Sequence, residues 1–154
     1  MSNTINIRKG LDIRLLGDAA KEIKELSVSK TVSLSPLDFH GLIPKLAVKE
    51  GEKVHVGDVI FYDKKNENIK YVSPASGTVK EIVRGEKRKI LQVLIDSDGK
   101  QTCKKFKVSK VADTSREDLM SLIMESGLWP CFRQRPLDVV ADPTKKPKGI
   151  YVSS

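Results

Sequence analysis

The sequence predicts an α+β fold that is mainly β. Three observations lead there. Between Val48 and Val83, short alternating apolar runs are broken by Gly51, Gly57, Pro74 and Gly77, the pattern of short strands joined by tight turns. A second apolar run, Lys89–Ile95 (KILQVLI), is bounded by turn residues on both sides, as a buried strand would be. Only one stretch, 114–127, combines a helix start signal, a periodic apolar face and a stop signal.

Taken in order, residues 5–16 (INIRKGLDIRLL) alternate around Gly10 and suggest two short strands. Residues 18–26 (DAAKEIKEL) have helical composition with Asp18 as a candidate cap, but the following SVSKTVSL looks like a strand. Ser35-Pro36 and Ile43-Pro44 punctuate a loop. Val48, Val54, Val56, Val59 and Phe61 then supply apolar positions around the turns at Gly51 and Gly57. A polar hairpin tip, Asp63-Lys64-Lys65-Asn66-Glu67-Asn68, leads back through Tyr71 and Val72 to Ser73-Pro74-Ala75-Ser76-Gly77. Pro74 cannot donate to a central ladder, so it belongs between strands. Val79, Ile82 and Val83 form the next strand. Gly85 opens the turn Arg84-Gly85-Glu86-Lys87-Arg88, and Asp96-Ser97-Asp98-Gly99 ends the strand that follows.

Thr114-Ser115-Arg116-Glu117 reads as a capping box for a helix over about 115–126. Leu119, Leu122 and Ile123 are expected on its buried face, with Met120 and Met124 beside them. Gly127 is placed to end it in the left-handed conformation. Trp129 follows directly and is expected to pack the helix end onto the sheet. Cys131, between Pro130 and Phe132, reads as a core residue. A linker rich in Pro and Lys (ADPTKKPKG) precedes Ile150-Tyr151-Val152, which reads as the first strand of a further, truncated domain of Rossmann-like type. The expected organisation is N-terminal strands and loops over 1–43, a β-unit over 44–99, a strand, capped helix and connector over 100–140, and the linker and first strand over 141–154.

Composition narrows the function classes. The 154 residues carry a net charge of +8, with 31% charged and 39% hydrophobic residues. Such a basic chain invites nucleic acid, an anionic surface or an acidic protein. Four Phe, three Tyr and one Trp, none interleaved with the basic residues, do not make a stacking platform, so nucleic acid is not expected. Cys103 and Cys131 are far apart with no Cys-x-x-Cys, and His40 and His55 have no suitably spaced partners, so no metal or iron–sulfur site is expected. The N-terminus lacks the apolar stretch of a secretory signal, and no apolar run approaches the length of a membrane span. Neither Gly-x-Ser-x-Gly nor Gly-x-Gly-x-x-Gly occurs, and no nucleophile–base pair emerges.

The layout V-x-x-G-x-x-V-x-x-G, followed after a hairpin by P-x-x-G-x-V, resembles the barrel-sandwich hybrids of biotinyl and lipoyl carrier domains. Those carriers hold one modified lysine at the hairpin apex in a setting such as Met-Lys-Met. Lys64 and Lys65 here sit among polar residues, and a solvated turn is the expectation.

Four ordered stretches together resemble the N-terminal part of the A subunit of sodium-translocating NADH:quinone oxidoreductases. They are Ile7–Asp12, the run from Val48 through Lys64-Lys65 to Gly77, the turn Arg84–Arg88, and Glu125–Trp129 with Arg133-Gln134-Arg135-Pro136. The resemblance implies a fragment of a peripheral subunit, on the cytoplasmic side of the bacterial inner membrane, within a complex that moves electrons from NADH to quinone and pumps sodium. It implies no cofactor in this fragment: flavins and the iron–sulfur centre belong to other subunits, and quinone is a ligand to consider for the whole subunit. The C subunit of Rnf electron-transport complexes shares the architecture and is an alternative, distinguished by cysteine-rich motifs beyond residue 154. A biotin or lipoate carrier is another. The candidate partner-docking residues are Arg84, Lys87 and Arg88 at the basic turn, and Arg133 and Arg135 near the linker. Gly51, Gly57, Pro74, Gly77, Gly85 and Trp129 are the structural motif positions.

Overall fold

The computed structural model describes residues 10, 16–27, 29–107 and 110–152. The strands expected over 5–16 fall almost wholly outside these residues. Residues 18–27 have no regular structure, and Ile23 and Leu26 are exposed. A helix this short is marginal unless it buries a face, because its nucleation cost is spread over few bonds.

Nine strands follow among the described residues. They are β1 (Thr31–Leu34), β2 (Pro44–Leu46), β3 (Lys53–Val54), β4 (Val59–Asp63), β5 (Asn66–Val72), β6 (Gly77–Arg84), β7 (Ile90–Ser97), β8 (Arg133–Gln134) and β9 (Val139–Val140). They form an antiparallel four-stranded sheet, β1-β7-β6-β3, a three-stranded sheet, β2-β4-β5, and a β8-β9 ribbon. Ser35 caps a 3-10 turn at Pro36–Asp38, where its hydroxyl accepts from the Leu37 amide at 3.2 Å. The glycine turns stitch the two sheets together. The Gly51 amide donates to the Val79 carbonyl at 2.8 Å, and the Gly57 amide donates to the Ser73 carbonyl at 3.0 Å.

Both sheets supply one core. Val79, Val93 and Ile95 come from the larger sheet and Ile60, Phe61, Ile69 and Tyr71 from the smaller. Ile60 and Phe61 are consecutive yet both fully buried, which strict alternation forbids. The register slips between Val59/Val72 and Phe61/Tyr71, a bulge that turns β4 so that both side chains face inward. Ser73 and Ser76 are buried as well, and both are satisfied. The Ser73 hydroxyl donates to the Ala75 carbonyl at 2.6 Å; that of Ser76 donates to Asp98 at 2.6 Å and accepts from the Thr102 amide at 3.0 Å. The Ser76 hydroxyl, with the Lys100 amide behind it, holds the Asp98 carboxyl below the usual range. Pro74 lies between β5 and β6, outside both ladders.

The helix α1 spans Arg116–Glu125. Its cap is Ser115, one residue later than the capping box predicts. The Ser115 hydroxyl accepts from the Asp118 amide at 3.1 Å, while the Thr114 hydroxyl donates backwards to the Lys110 carbonyl at 2.9 Å and so does not cap. At the other end, the Gly127 amide donates to the Met124 carbonyl and the Leu128 amide to the Ile123 carbonyl, with Gly127 at φ +76°: a Schellman stop. A Cβ at Gly127 would lie 2.5 Å from Val72 Cγ1, so the glycine also lets the helix end close onto β5.

The packed face differs from the expected one. Met120, Ile123 and Met124 touch the core, whereas Leu119 and Leu122 lie outside the core cluster. The Gly127 stop on Val72 sets the helix's rotation, and the stripe at 120, 123, 124 and 127 follows from it. Ile123→Ala should therefore destabilise more than Leu122→Ala, by about 1 kcal/mol or more for the additional apolar area lost. Urea titration of the two variants side by side checks this; equal losses would return Leu122 to the core.

Two further expectations fail. The strand expected near residue 100 is a single parallel bridge between Val56 and Cys103. Cys131 is exposed, although its neighbours Trp129 and Pro130 are buried, because a 3-10 turn over Trp129–Cys131 swings successive side chains around the axis. Ile150-Tyr151-Val152 is exposed and pairs with none of the described strands, and a strand exists only through a hydrogen-bonded neighbour. Trp129 is buried as expected, and its indole N–H donates to the Ala141 carbonyl at 2.7 Å, pinning the segment after β9.

Candidate functional site

The β4–β5 hairpin carries its lysines at the apex. Asp63 pairs with Asn66, leaving Lys64 and Lys65 as the two-residue tip. The Asp63 carboxylate accepts from the Lys65 amide at 3.0 Å, and the Lys65 ammonium donates to the Gly41 carbonyl at 2.9 Å. One apical lysine is therefore tied back to a neighbouring loop. The other is exposed, with its amide donating to the Ile43 carbonyl at 2.8 Å.

The β6–β7 hairpin ends in the basic turn. Arg84, Lys87 and Arg88 are all exposed there, and Arg84 Nη1 donates to the Arg88 carbonyl at 3.4 Å. None of the three forms an ion pair among the described residues. Gly85 opens the turn without itself being left-handed. It is extended at φ −97°, and a Cβ there would press on the Leu91 side chain at 3.1 Å. The left-handed positions are Lys87 and Arg88 instead.

Arg133 begins β8 and Arg135 follows it, and no hydrogen bond joins them to the basic turn among the described residues. Arg135 lies 3.9 Å from Asp138, an exposed pair that contributes little. Arg133 lies over the Phe39 ring, 5.4 Å from its centroid, and donates to the Asp138 carbonyl at 3.5 Å. It forms part of a cleft of about 250 Å³. Leu34, Phe39, Tyr71 and Val72 line it together with Gly127, Pro130, Cys131 and Arg133. Phe39 meets Tyr71 edge-on at 4.5 Å, and Tyr71 stacks on Phe61 at 5.0 Å, so the cleft floor is continuous with the core. Phe39 stands alone in a loop, where no periodicity in the sequence marks it.

Burial pushes the Tyr71 phenol up to about 12 from 10.0; the Asp63 carboxylate adds to the rise, and Arg133 opposes it. The folded chain thus holds this proton more tightly than the unfolded chain. The stabilisation is complete below about pH 10 and is lost as pH rises towards 12. Phenolate absorbance should show a late step as pH rises towards 12, and Tyr71→Phe should remove that step and flatten the alkaline loss of stability. A single common phenolate transition would contradict the burial.

The two histidines are exposed. His55 Nδ1 lies 3.1 Å from Asp58, which also accepts from the His55 amide at 2.7 Å, so the ring closes a turn. Among the described residues no group of three His, Cys, Asp or Glu could hold a metal ion, and no helix is long and apolar enough to cross a membrane.

The comparisons with known proteins agree with this architecture. The family model of the NqrA N-terminal barrel-sandwich hybrid domain matches residues 5–98, and that of the NqrA second alpha/beta domain matches residues 114–154. Several similar proteins are named as the A subunit of a Na(+)-translocating NADH-quinone reductase. That of Pseudomonas aeruginosa strain PAO1 is 37% identical over 152 residues. Those of Saccharophagus degradans and Marinomonas sp. strain MWYL1 are 38% and 39% identical over 152 and 150 residues. The alignments cover 96–97% of this chain and 34% of each relative, so the chain spans about a third of the length of the relatives it matches. With a barrel-sandwich hybrid matched over more than half of its residues, the chain belongs to the NqrA family.

Proposed function

We propose that the chain is the N-terminal part of the A subunit of a sodium-translocating NADH-quinone reductase, serving as a docking module without redox chemistry of its own. The observation that carries this is the 37% identity over 97% of the chain to a relative bearing that name. The whole complex passes electrons from NADH to quinone and transports sodium. In this reading flavins and the iron–sulfur centre reside in other subunits, and quinone is a ligand of the whole subunit. The module lies peripherally on the cytoplasmic face of the inner membrane and presents Arg84, Lys87 and Arg88, with Arg133 and Arg135 as a second basic group, to its neighbours in the complex. The tether of Lys65 to the Gly41 carbonyl takes one of the two apical lysines out of a biotin or lipoate carrier's role, and the polar neighbours of Lys64 do not match a carrier's Met-Lys-Met setting.

The test is to supply the tagged full-length protein to a bacterium lacking its own copy. The expected result is co-purification with the membrane complex and restored NADH:quinone reductase activity. Failure of both would sink the proposal. The purified protein should be colourless after gel filtration, and intact mass after expression with a biotin or lipoate ligase should be unmodified. A flavin or iron–sulfur band, or an adduct on Lys64 or Lys65, would overturn the cofactor-free assignment.

A further inference from the structure

The backbone of the β6–β7 turn is one its residues do not favour. Lys87 lies at φ +53°, ψ +31°, and Arg88 at φ +59°. The Lys89 amide donates to the Glu86 carbonyl at 3.1 Å, and the Gly85 amide to the Lys89 carbonyl at 2.8 Å. Glu86–Lys89 is thus a tight turn inside the five-residue connection from Arg84 to Ile90, with positive φ at both central positions as in a type I′ turn, a backbone that Asn-Gly satisfies with least strain. Long-chain L-residues crowd the following carbonyl there. Nothing in the core compensates, because Lys87 and Arg88 are exposed and their side chains make no hydrogen bond among the described residues. Arg84 even braces the strained geometry through the Arg88 carbonyl. The directions in which the two side chains leave the backbone are held at a conformational cost, and their charges are unspent.

We propose that this turn is a stereospecific clamp for carboxylates on a partner protein, with Arg84, Lys87 and Arg88 as its contacts. The proposal rests on the docking reading above and names the chemistry of the docked surface. A membrane surface attracts basic charge whatever its direction, so a relaxed loop of the same composition would bind lipid equally well. Fixed directions matter where a planar guanidinium must meet a carboxylate edge with two parallel bonds. A protein surface offers carboxylates at fixed positions; a fluid headgroup layer does not.

Two variants of the full-length protein separate geometry from charge. The Lys87→Asn, Arg88→Gly variant relaxes the turn and removes its charges. A Gly-Ser insertion between Lys87 and Arg88 keeps every charge and frees the backbone. The first is expected to raise the melting temperature of the isolated protein. Both are expected to lower recovery with the rest of the complex, on the order of tenfold, as loss of a close charged contact does. A lowered melting temperature in the first variant would remove the strain on which the inference stands. Full assembly of the insertion variant would show that charge alone suffices, and cosedimentation of wild-type and insertion proteins alike with phosphatidylglycerol vesicles would assign the turn to lipid. If the wild-type protein itself does not co-purify, the docking reading falls and the clamp with it. If the wild-type assembles and both variants assemble equally well, the clamp alone is refuted.

Discussion

Replacing Phe61 by Ala should cost about 3–5 kcal/mol, the range for deleting a buried aromatic side chain. Phe61 is fully buried, stands opposite Leu46 and Tyr71 in the register of the smaller sheet, and stacks on the Tyr71 ring at 5.0 Å. Removing it takes away the ring stacked on Tyr71 and leaves a void in the core. The loss would be a large share of the roughly 5–15 kcal/mol that holds an ordinary domain together. Tyr62 is the control. It is the immediate neighbour of Phe61 but half-buried, with Lys45 Nζ 5.2 Å above its ring, and Tyr62→Ala should cost about 1 kcal/mol or less. Chemical denaturation of both variants measures the contrast. Similar losses at the two positions would mean that the bulge does not orient β4 as described.

Gly77→Ala should be as severe, for a different reason. Gly77 opens β6 at φ +158°, opposite both Val54 and Ser97. A Cβ there would run into the Asp96 carbonyl of the adjacent strand. Backbone cannot rotate away as a side chain can, so β6 and β7 must separate at this point. The cost should reach or exceed the roughly 1–3 kcal/mol of ordinary overpacking. Gly51→Ala makes the comparison: Gly51 has φ +82° with open space around its Cβ position, so only the conformational penalty of about 1–2 kcal/mol applies. If the two substitutions cost the same in a denaturant titration, the close approach of β6 to β7 is not what requires glycine at position 77.

Much of this architecture is legible in the order of the residues. Glycines spaced among β-branched residues announce tight turns between short strands, and the Ser-Pro-Ala-Ser-Gly break announces a connection, because these residue types act through their own backbone. The helix stop at Gly127 and the burial of Trp129 are legible for the same local reason. Local signals err where two neighbouring residues compete for one role. Thr114 and Ser115 can each cap α1, and the carbonyl of Lys110 decides between them by engaging Thr114. Gly85 and the Lys87-Arg88 pair can each bend the turn, and the hairpin register places the bend at the pair.

By itself, the sequence determined that this chain is a mainly β unit with glycine turns, one capped helix and a basic hairpin end, since each rests on the steric and hydrogen-bonding preferences of a few adjacent residues. Only the tertiary structure decided which helix face is buried, that Cys131 is exposed, that Phe39 joins Tyr71 and Arg133 at a cleft, and that the basic turn is strained. Each of these depends on contacts between residues distant along the chain, or on a register set by pairing across strands. Periodicity reports how a segment would divide itself between apolar and polar surroundings. It does not report where a neighbouring strand stands, and here Val72 against Gly127 and β7 against β6 fix what local preference leaves open.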